Sequence, residues 1–434
     1  MNVVKKKPLQ LVDASEERVL AEILNFFSTS GDFNGLPYYR LITKIKSGSD
    51  LLGVLAKLIY DGQICAVFGD RHPNPHILAF EPESKNDQVS KLSTKLSDHT
   101  CFYPTPSVLK LAVNKGLYVD RPFSLELALG GPCLSPRFFD LQVLEVYRND
   151  PRYYYAASDS DGHISVRDQT DSQQSLKNSD QVLLESFGFG HNHQITHRVV
   201  VVYLRYLHSL SQEHQKIWQA RQLDNNHHVH PCYAKATAGT WLDQIGIFDA
   251  FAMELQYINK MCVVIDRPHL FREDFSERKP PRNFAFLLRP TKKELHEFIL
   301  TLDKCLSENL NSAFFQDEVP IKIEIPRGNG RFELQTKGTI AILDEWLKAR
   351  FKPKDPAPRD EMVATLRRIR KLRQRPAHAL EDDHFDDRIF QKQRDLICEA
   401  YKAIRVIRLI LMNHPRLKGY VVPDVLQEGK IMTF

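Results

Sequence analysis

Arg373 and His378, with four residues between them, are a pair whose types and spacing suit chemistry without a metal. An arginine fork can hold a phosphodiester as charge develops on it, and an imidazole can move a proton. Together they would serve RNA cleavage. There the ribose 2′-OH is the nucleophile, a neutral imidazole takes its proton and an imidazolium protonates the leaving oxygen. The pair sits in RRIRKLRQRPAHALEDDHFD, where a basic stretch runs into Pro376. Arg367, Arg368, Arg370, Lys371, Arg373 and Arg375 fall within nine residues with no acid among them. Such a stripe can attract phosphate, which makes Arg367, Arg368, Arg370, Lys371 and Arg375 the expected RNA contacts. The same cations would also suit a solvated helix face. Arg373 would then pair with Asp382, Asp383 or Asp386, and His378 would cap a helix end.

Other reactive groupings are thinner. His191, His193, His197, His208, His214, His227, His228, His230 and Cys232 crowd one stretch, and HHVHPC could offer imidazoles and a thiolate to zinc. The spacing matches no compact zinc motif, so no metal and no cofactor is expected. FGFGH (187–191) has two glycines but lacks a strand–loop–helix setting for a nucleotide. Walker A, G-x-S-x-G and HExxH motifs are absent, and Asp140, Glu145 and Asp150 form no nuclease cluster.

Helical segments must position the Arg/His pair. Met362, Val363, Leu366, Ile369 and Leu372 recur at three-to-four spacing and predict a helix over 360–372, with most of its cations off the apolar side. A long helix is expected over 387–413 and another over 289–315, with a further helix over 343–351. IEIPRGNGRFELQ predicts a hairpin turning at Gly328-Asn329-Gly330. At the other end, 15–30 and 50–61 predict helices. ICAVFGDRHPNPHILAFEP then predicts two strands around a tight turn. VVVVYLRYLHSLSQEHQKIWQARQ begins like a strand, but its length and the spacing of Leu204, Leu207 and His208 favour a buried helix. The expected class is α+β, mostly α. A module spans 1–90, a mixed α/β central region 91–284 and a helical bundle 285–434.

The C-terminal helical third, with Arg-x4-His at a helix end, resembles the HEPN superfamily. Arg373 and His378 match that family's motif residues, and Gln374 takes the polar position where the family usually has Asn or Asp. The resemblance implies a helical bundle that acts as a metal-independent endoribonuclease, in an antiphage-defence or toxin-like system. It also implies a homodimer through the C-terminal bundle, with two motifs facing one groove. Residues 15–82 resemble a winged helix-turn-helix by element order. Their third helix carries one cation, Lys57, with Arg71 and His72 in the following turn, which is poor equipment for DNA phosphate. A protein partner or regulator at this module is the expectation.

Composition sets the outer limits. The 434 residues include 59 Lys+Arg against 54 Asp+Glu, too mild an excess to argue for nucleic acid by itself. Seven scattered cysteines without a CxxC fit reduced thiols of a cytoplasmic protein. MNVVKKKPLQLVDASEE lacks the apolar core of a secretory signal, and RVIRLILMN is too short and too charged for a membrane span. The alternative function is a non-catalytic DNA- or protein-binding regulator that uses the winged helix, with the bundle only dimerising.

Overall fold

Apolar residues spaced for one helix face dominate the chain, and the result is an α+β fold with 49% helix and 17% strand. The computed structural model describes residues 15–45, 50–70, 74–166, 177–194, 197–237, 239–240, 243–277, 280–327, 331–374 and 382–433. The chain groups into two compact units. Unit 1 holds 1–143, 152–154 and 163–229; unit 2 holds 144–151, 155–162 and 230–434.

Unit 1 begins α1 (Glu16–Thr29), β1 (Leu36–Pro37), α2 (Tyr38–Lys44), α3 (Leu51–Tyr60), β2 (Ile64–Val67), α4 (Lys85–Thr94) and β3 (Cys101–Pro104). Val19 and Ile23 of α1 share a buried core with Leu55, Leu58 and Ile59 of α3. Asp50 starts α3 by accepting the Gly53 N–H at 3.0 Å, which satisfies an otherwise orphaned donor. The three strands form an antiparallel sheet in the order β1-β3-β2. The strand expected just after the turn at 70–75 does not form: residues 74–82 contain none. Their backbone is committed elsewhere. Ile77 N–H donates to Asn74, while the Leu78 and Ala79 carbonyls accept from Cys133 and Leu134. β2 pairs instead with β3, whose Cys101, Phe102 and Tyr103 are fully buried.

After α5 (Pro106–Ala112) and α6 (Pro122–Ala128), the chain adds β4 (Pro136–Phe139), the short helix α7 (Glu145–Arg148), β5 (Tyr153–Ala157), β6 (Asp161–Val166), β7 (Leu183–Asn192) and β8 (Arg198–Tyr203). The sheet order is β4-β8-β7-β6-β5, with β9 (His227–Val229) on β7. Here VVVVY is a strand, not the start of a helix. Val199 to Tyr203 are buried without a break between β4 and β7. A strand covered on both faces shows no alternation, and four β-branched residues in a row favour the extended chain. The helical part is confined to α8 (Leu204–His208) and α9 (Gln212–Gln219). The glycines of FGFGH lie within β7. A Cβ on Gly190 would meet the His228 carbonyl oxygen at 2.4 Å, so this glycine serves close strand approach.

Unit 2 takes in α7, α10 (Pro231–Thr237), β10 (Ile245–Gly246), α11 (Ile247–Val264), α12 (Lys292–Cys305), the hairpin β11 (Lys322–Arg327) and β12 (Arg331–Thr336), α13 (Thr339–Arg350), α14 (Ala357–Gln374), α15 (Arg388–Met412), α16 (Asp424–Glu428) and β13 (Ile431–Met432). The expected hairpin forms, with Lys322 opposite Thr336 and Arg327 opposite Arg331; its turn, 328–330, lies outside the described residues. α15 buries Ile389, Leu396, Ile397, Ala400, Ile404, Ile407 and Leu411, the apolar face that packs on α11 and α14. Two polar side chains, Gln393 and Arg408, are buried inside that face. Arg408, 2% exposed, donates to the carboxylate of Glu254, 0% exposed, with one contact at 3.1 Å. Among the described residues no helix is long and apolar enough to cross a membrane.

Candidate active site

The Arg/His pair belongs to the end of α14. This helix forms because Met362, Val363, Leu366 and Ile369 share one face, which is buried in the core of unit 2. It packs against α12, α13 and α15. Arg373 and Gln374 are its last two residues. Arg375 and His378 lie outside the described residues.

Three of the five described cations of the stripe, Arg367, Arg368 and Arg373, meet acids from neighbouring elements. Arg367 Nη2 pairs with Asp344 of α13 at 2.7 Å, and Arg368 pairs with Glu399 of α15. Arg370 Nη1 donates to the Ser307 hydroxyl at 3.3 Å. Arg373 Nη1 donates to Asp303 Oδ2 at 2.8 Å and to Glu308 Oε1. The Ser307 hydroxyl in turn donates to Asp303 Oδ1. Lys371 and Gln374 are exposed.

The two acids on Arg373 differ sharply. Asp303 lies on α12 and is 0% exposed, whereas the Glu308 side chain, in the turn after α12, is 35% exposed. Arg373 itself is 28% exposed. Hydrogen bonding to Asp303, and then to Glu308, raises the guanidinium above its ordinary value. The fork has five N–H donors, and only those on Nη1 are engaged among the described residues. The Nε–Nη2 edge, the side suited to bidentate oxygen recognition, has no hydrogen-bond partner among the described residues.

The acids just beyond the motif do other work. Asp383 accepts the Lys293 N–H at 3.0 Å, and Asp386 pairs with Arg388 at 2.9 Å and Lys392 at 3.7 Å. Asp303, Ser307 and Glu308 are thus the partners that the sequence reading missed. A signal for Asp303 was present. It stands four residues after Ile299 on the same face as Phe298, Ile299 and Leu302, all buried, and an acid in an apolar stripe demands a partner.

The histidine-rich stretch disperses. His193 and His228 share a 2.7 Å ring-nitrogen contact, and His191 lies 5.7 Å from the His228 ring. His208 Nδ1 is 3.0 Å from the Ser124 hydroxyl, and His197 N–H is directed at Asn192. His227 stands 3.4 Å from Asp224, His214 is buried, and Cys232 Sγ lies 3.0 Å from Met432 Sδ with its N–H on His230 Nδ1. Among the described residues no group of three or more His, Cys, Asp or Glu is arranged to hold a metal ion. In unit 1, Lys57 is tied to Glu16 at 2.6 Å. Arg71 and His72 lie outside the described residues. The chain matches no family model, no curated protein and no solved structure.

Proposed function

We propose that this protein is a metal-independent endoribonuclease of the HEPN type, acting in the cytoplasm in an antiphage-defence or toxin-like role. Arg373 holds the scissile phosphate and His378 moves the proton. Gln374 stands in the motif's polar position, and Arg367, Arg368, Arg370, Lys371 and Arg375 attract the RNA. Two copies assemble through the C-terminal bundle and present both motifs to one groove. The observation that supports this reading is the state of Arg373. Its Nη1 is fixed by carboxylates while its Nε–Nη2 edge, at the last turn of a helix, has no hydrogen-bond partner among the described residues. A fork whose orientation is set before substrate arrives contributes most to stabilising developing charge.

His378→Ala tests it. The variant should lose RNA cleavage with an unchanged melting temperature, and wild-type cleavage should persist in EDTA. A folded, fully active variant would remove His378 from the mechanism.

A second reading draws on the ion pairs themselves. Arg367, Arg368 and Arg373 each already face a carboxylate, which is what a basic helix built for packing requires. On that reading the bundle dimerises without catalysis. The α1-β1-α2-α3-β2-α4-β3 module, whose opening elements follow the order of a winged helix, binds a protein or DNA partner. Wild-type protein without cleavage of any RNA, together with a stable dimer in light scattering, would favour it.

A further inference from the structure

The two carboxylates on Arg373 are not equivalent, and the difference assigns them separate roles. Resting on the reading of Arg373 as the phosphate holder, we propose that Asp303 is a positioning residue that aims the guanidinium, and that Glu308 is a removable counter-charge that guards the seat of an RNA phosphate.

Charge and exposure carry the argument. Arg370 and Arg373 supply two positive charges around Ser307, and Asp303 and Glu308 supply two negative ones. With Glu308 in place the cluster is neutral, and a phosphodiester gains little by approaching it. Without Glu308 the cluster carries one net positive charge beside an Nε–Nη2 edge that has no hydrogen-bond partner among the described residues.

Asp303 cannot be the group that leaves. It is 0% exposed and is held from both sides, by Arg373 on Oδ2 and by the Ser307 hydroxyl on Oδ1. Exposing the carboxylate would require α12 to move away from α14. Glu308 can leave by a side-chain rotation. It lies in the turn after α12, its side chain is 35% exposed, and its only side-chain partner among the described residues is Arg373. Its backbone N–H is fixed on the Asp303 carbonyl at 3.2 Å, so the turn stays in place while the side chain swings into water. An arriving phosphate then takes over the role of the second anion on Arg373.

The experiment uses the full chain in a His378→Ala background, with a 5′-labelled single-stranded oligouridylate as probe and anisotropy as readout. Glu308→Gln should bind about two- to fivefold more tightly than its parent, the range spanned by an exposed ion pair. Its log–log salt slope should steepen by about 0.7, one extra phosphate contact on a single strand. Asp243→Asn removes one negative charge from the exposed pair with Lys430 and should leave the affinity unchanged. Arg373→Lys added to Glu308→Gln should erase the gain. Unchanged or weaker binding by Glu308→Gln, with an unchanged melting temperature, overturns the guard. So does an equal gain from Asp243→Asn. Cleavage by the His378-containing protein is measured alongside. Tighter binding by Glu308→Gln with no cleavage by the wild type would sustain the phosphate seat and sink the nuclease reading. Cleavage by the wild type without the Glu308→Gln gain would do the reverse.

Discussion

Arg373 has a structural duty whatever its chemistry. It is the cation on Asp303, and a carboxylate with no exposed surface cannot turn to water when its partner is removed. Breaking such a pair from one side costs about 3–5 kcal/mol. Arg373→Ala should therefore lower the unfolding free energy by that order in urea denaturation. Adding Asp303→Asn should return part of the loss, because it removes the stranded charge. Additive losses in that double-mutant cycle would show that the two side chains do not couple. It follows that loss of activity in Arg373→Ala alone does not identify a catalytic arginine, whereas His378→Ala and Glu308→Gln leave the buried pair intact. The cysteines give a second residue-scale expectation. Cys65, Cys101, Cys133, Cys262 and Cys305 are buried, and burial pushes the Cys65 thiol up to about 12; Cys232 and Cys398 are half-buried. Burial raises the Cys232 and Cys398 thiols as well, so native protein should react with a thiol reagent slowly at these two, and the other five should respond only after denaturation. Fast labelling of all seven in native protein would contradict this burial.

At the scale of elements, α14 is attached by an apolar face below and by ion pairs at its rim. Asp344 of α13 shows how the rim responds to pH. Burial would raise its carboxyl, but hydrogen bonds from Lys348 and Arg367 outweigh this and hold it below the ordinary 3.8. A depressed folded value means that the stabilisation is present above 3.8 and fades as pH falls through the folded value. Arg367→Ala should destabilise the protein at pH 7 and less at pH 3, as measured by denaturant midpoints. An equal deficit at both values would show that the pair contributes nothing beyond packing. The strands teach a different lesson. β8 was misread as helix because an unbroken run of buried residues carries no periodicity, so only its neighbours β4 and β7 distinguish strand from helix. α12, α14 and α15 were readable because each has one apolar and one polar face, and that contrast is written in the order of residues.

On the scale of the whole molecule, the two units should not respond alike to acid. In unit 1, burial lowers His208 below the ordinary 6.5, reinforced by the nearby Arg121 and opposed by Asp32; burial also lowers His214. A histidine kept neutral by the fold contributes stability above 6.5 and withdraws it as pH drops through the depressed value. The melting temperature of unit 1 should fall between pH 7.5 and pH 5.5. His208→Asn, which keeps a short amide near Ser124, should shrink the fall. A melt independent of pH over that interval would mean that both imidazoles protonate without cost.

The order of residues by itself determined the α+β class, the α14 and α15 helices, the hairpin at 322–336 and the site's unusual density of cations. All of these follow from local periodicity, turn chemistry and charge, which neighbouring residues set without help. It did not determine what the cations face. Asp303 and Glu308 stand 70 and 65 residues before Arg373, and Glu399 arrives from the following helix. β2 likewise finds β3 instead of the segment beside it. Partners so far apart are selected when helices and strands bury their apolar faces together, because only that packing decides which acid ends up next to which arginine and which of them loses its water.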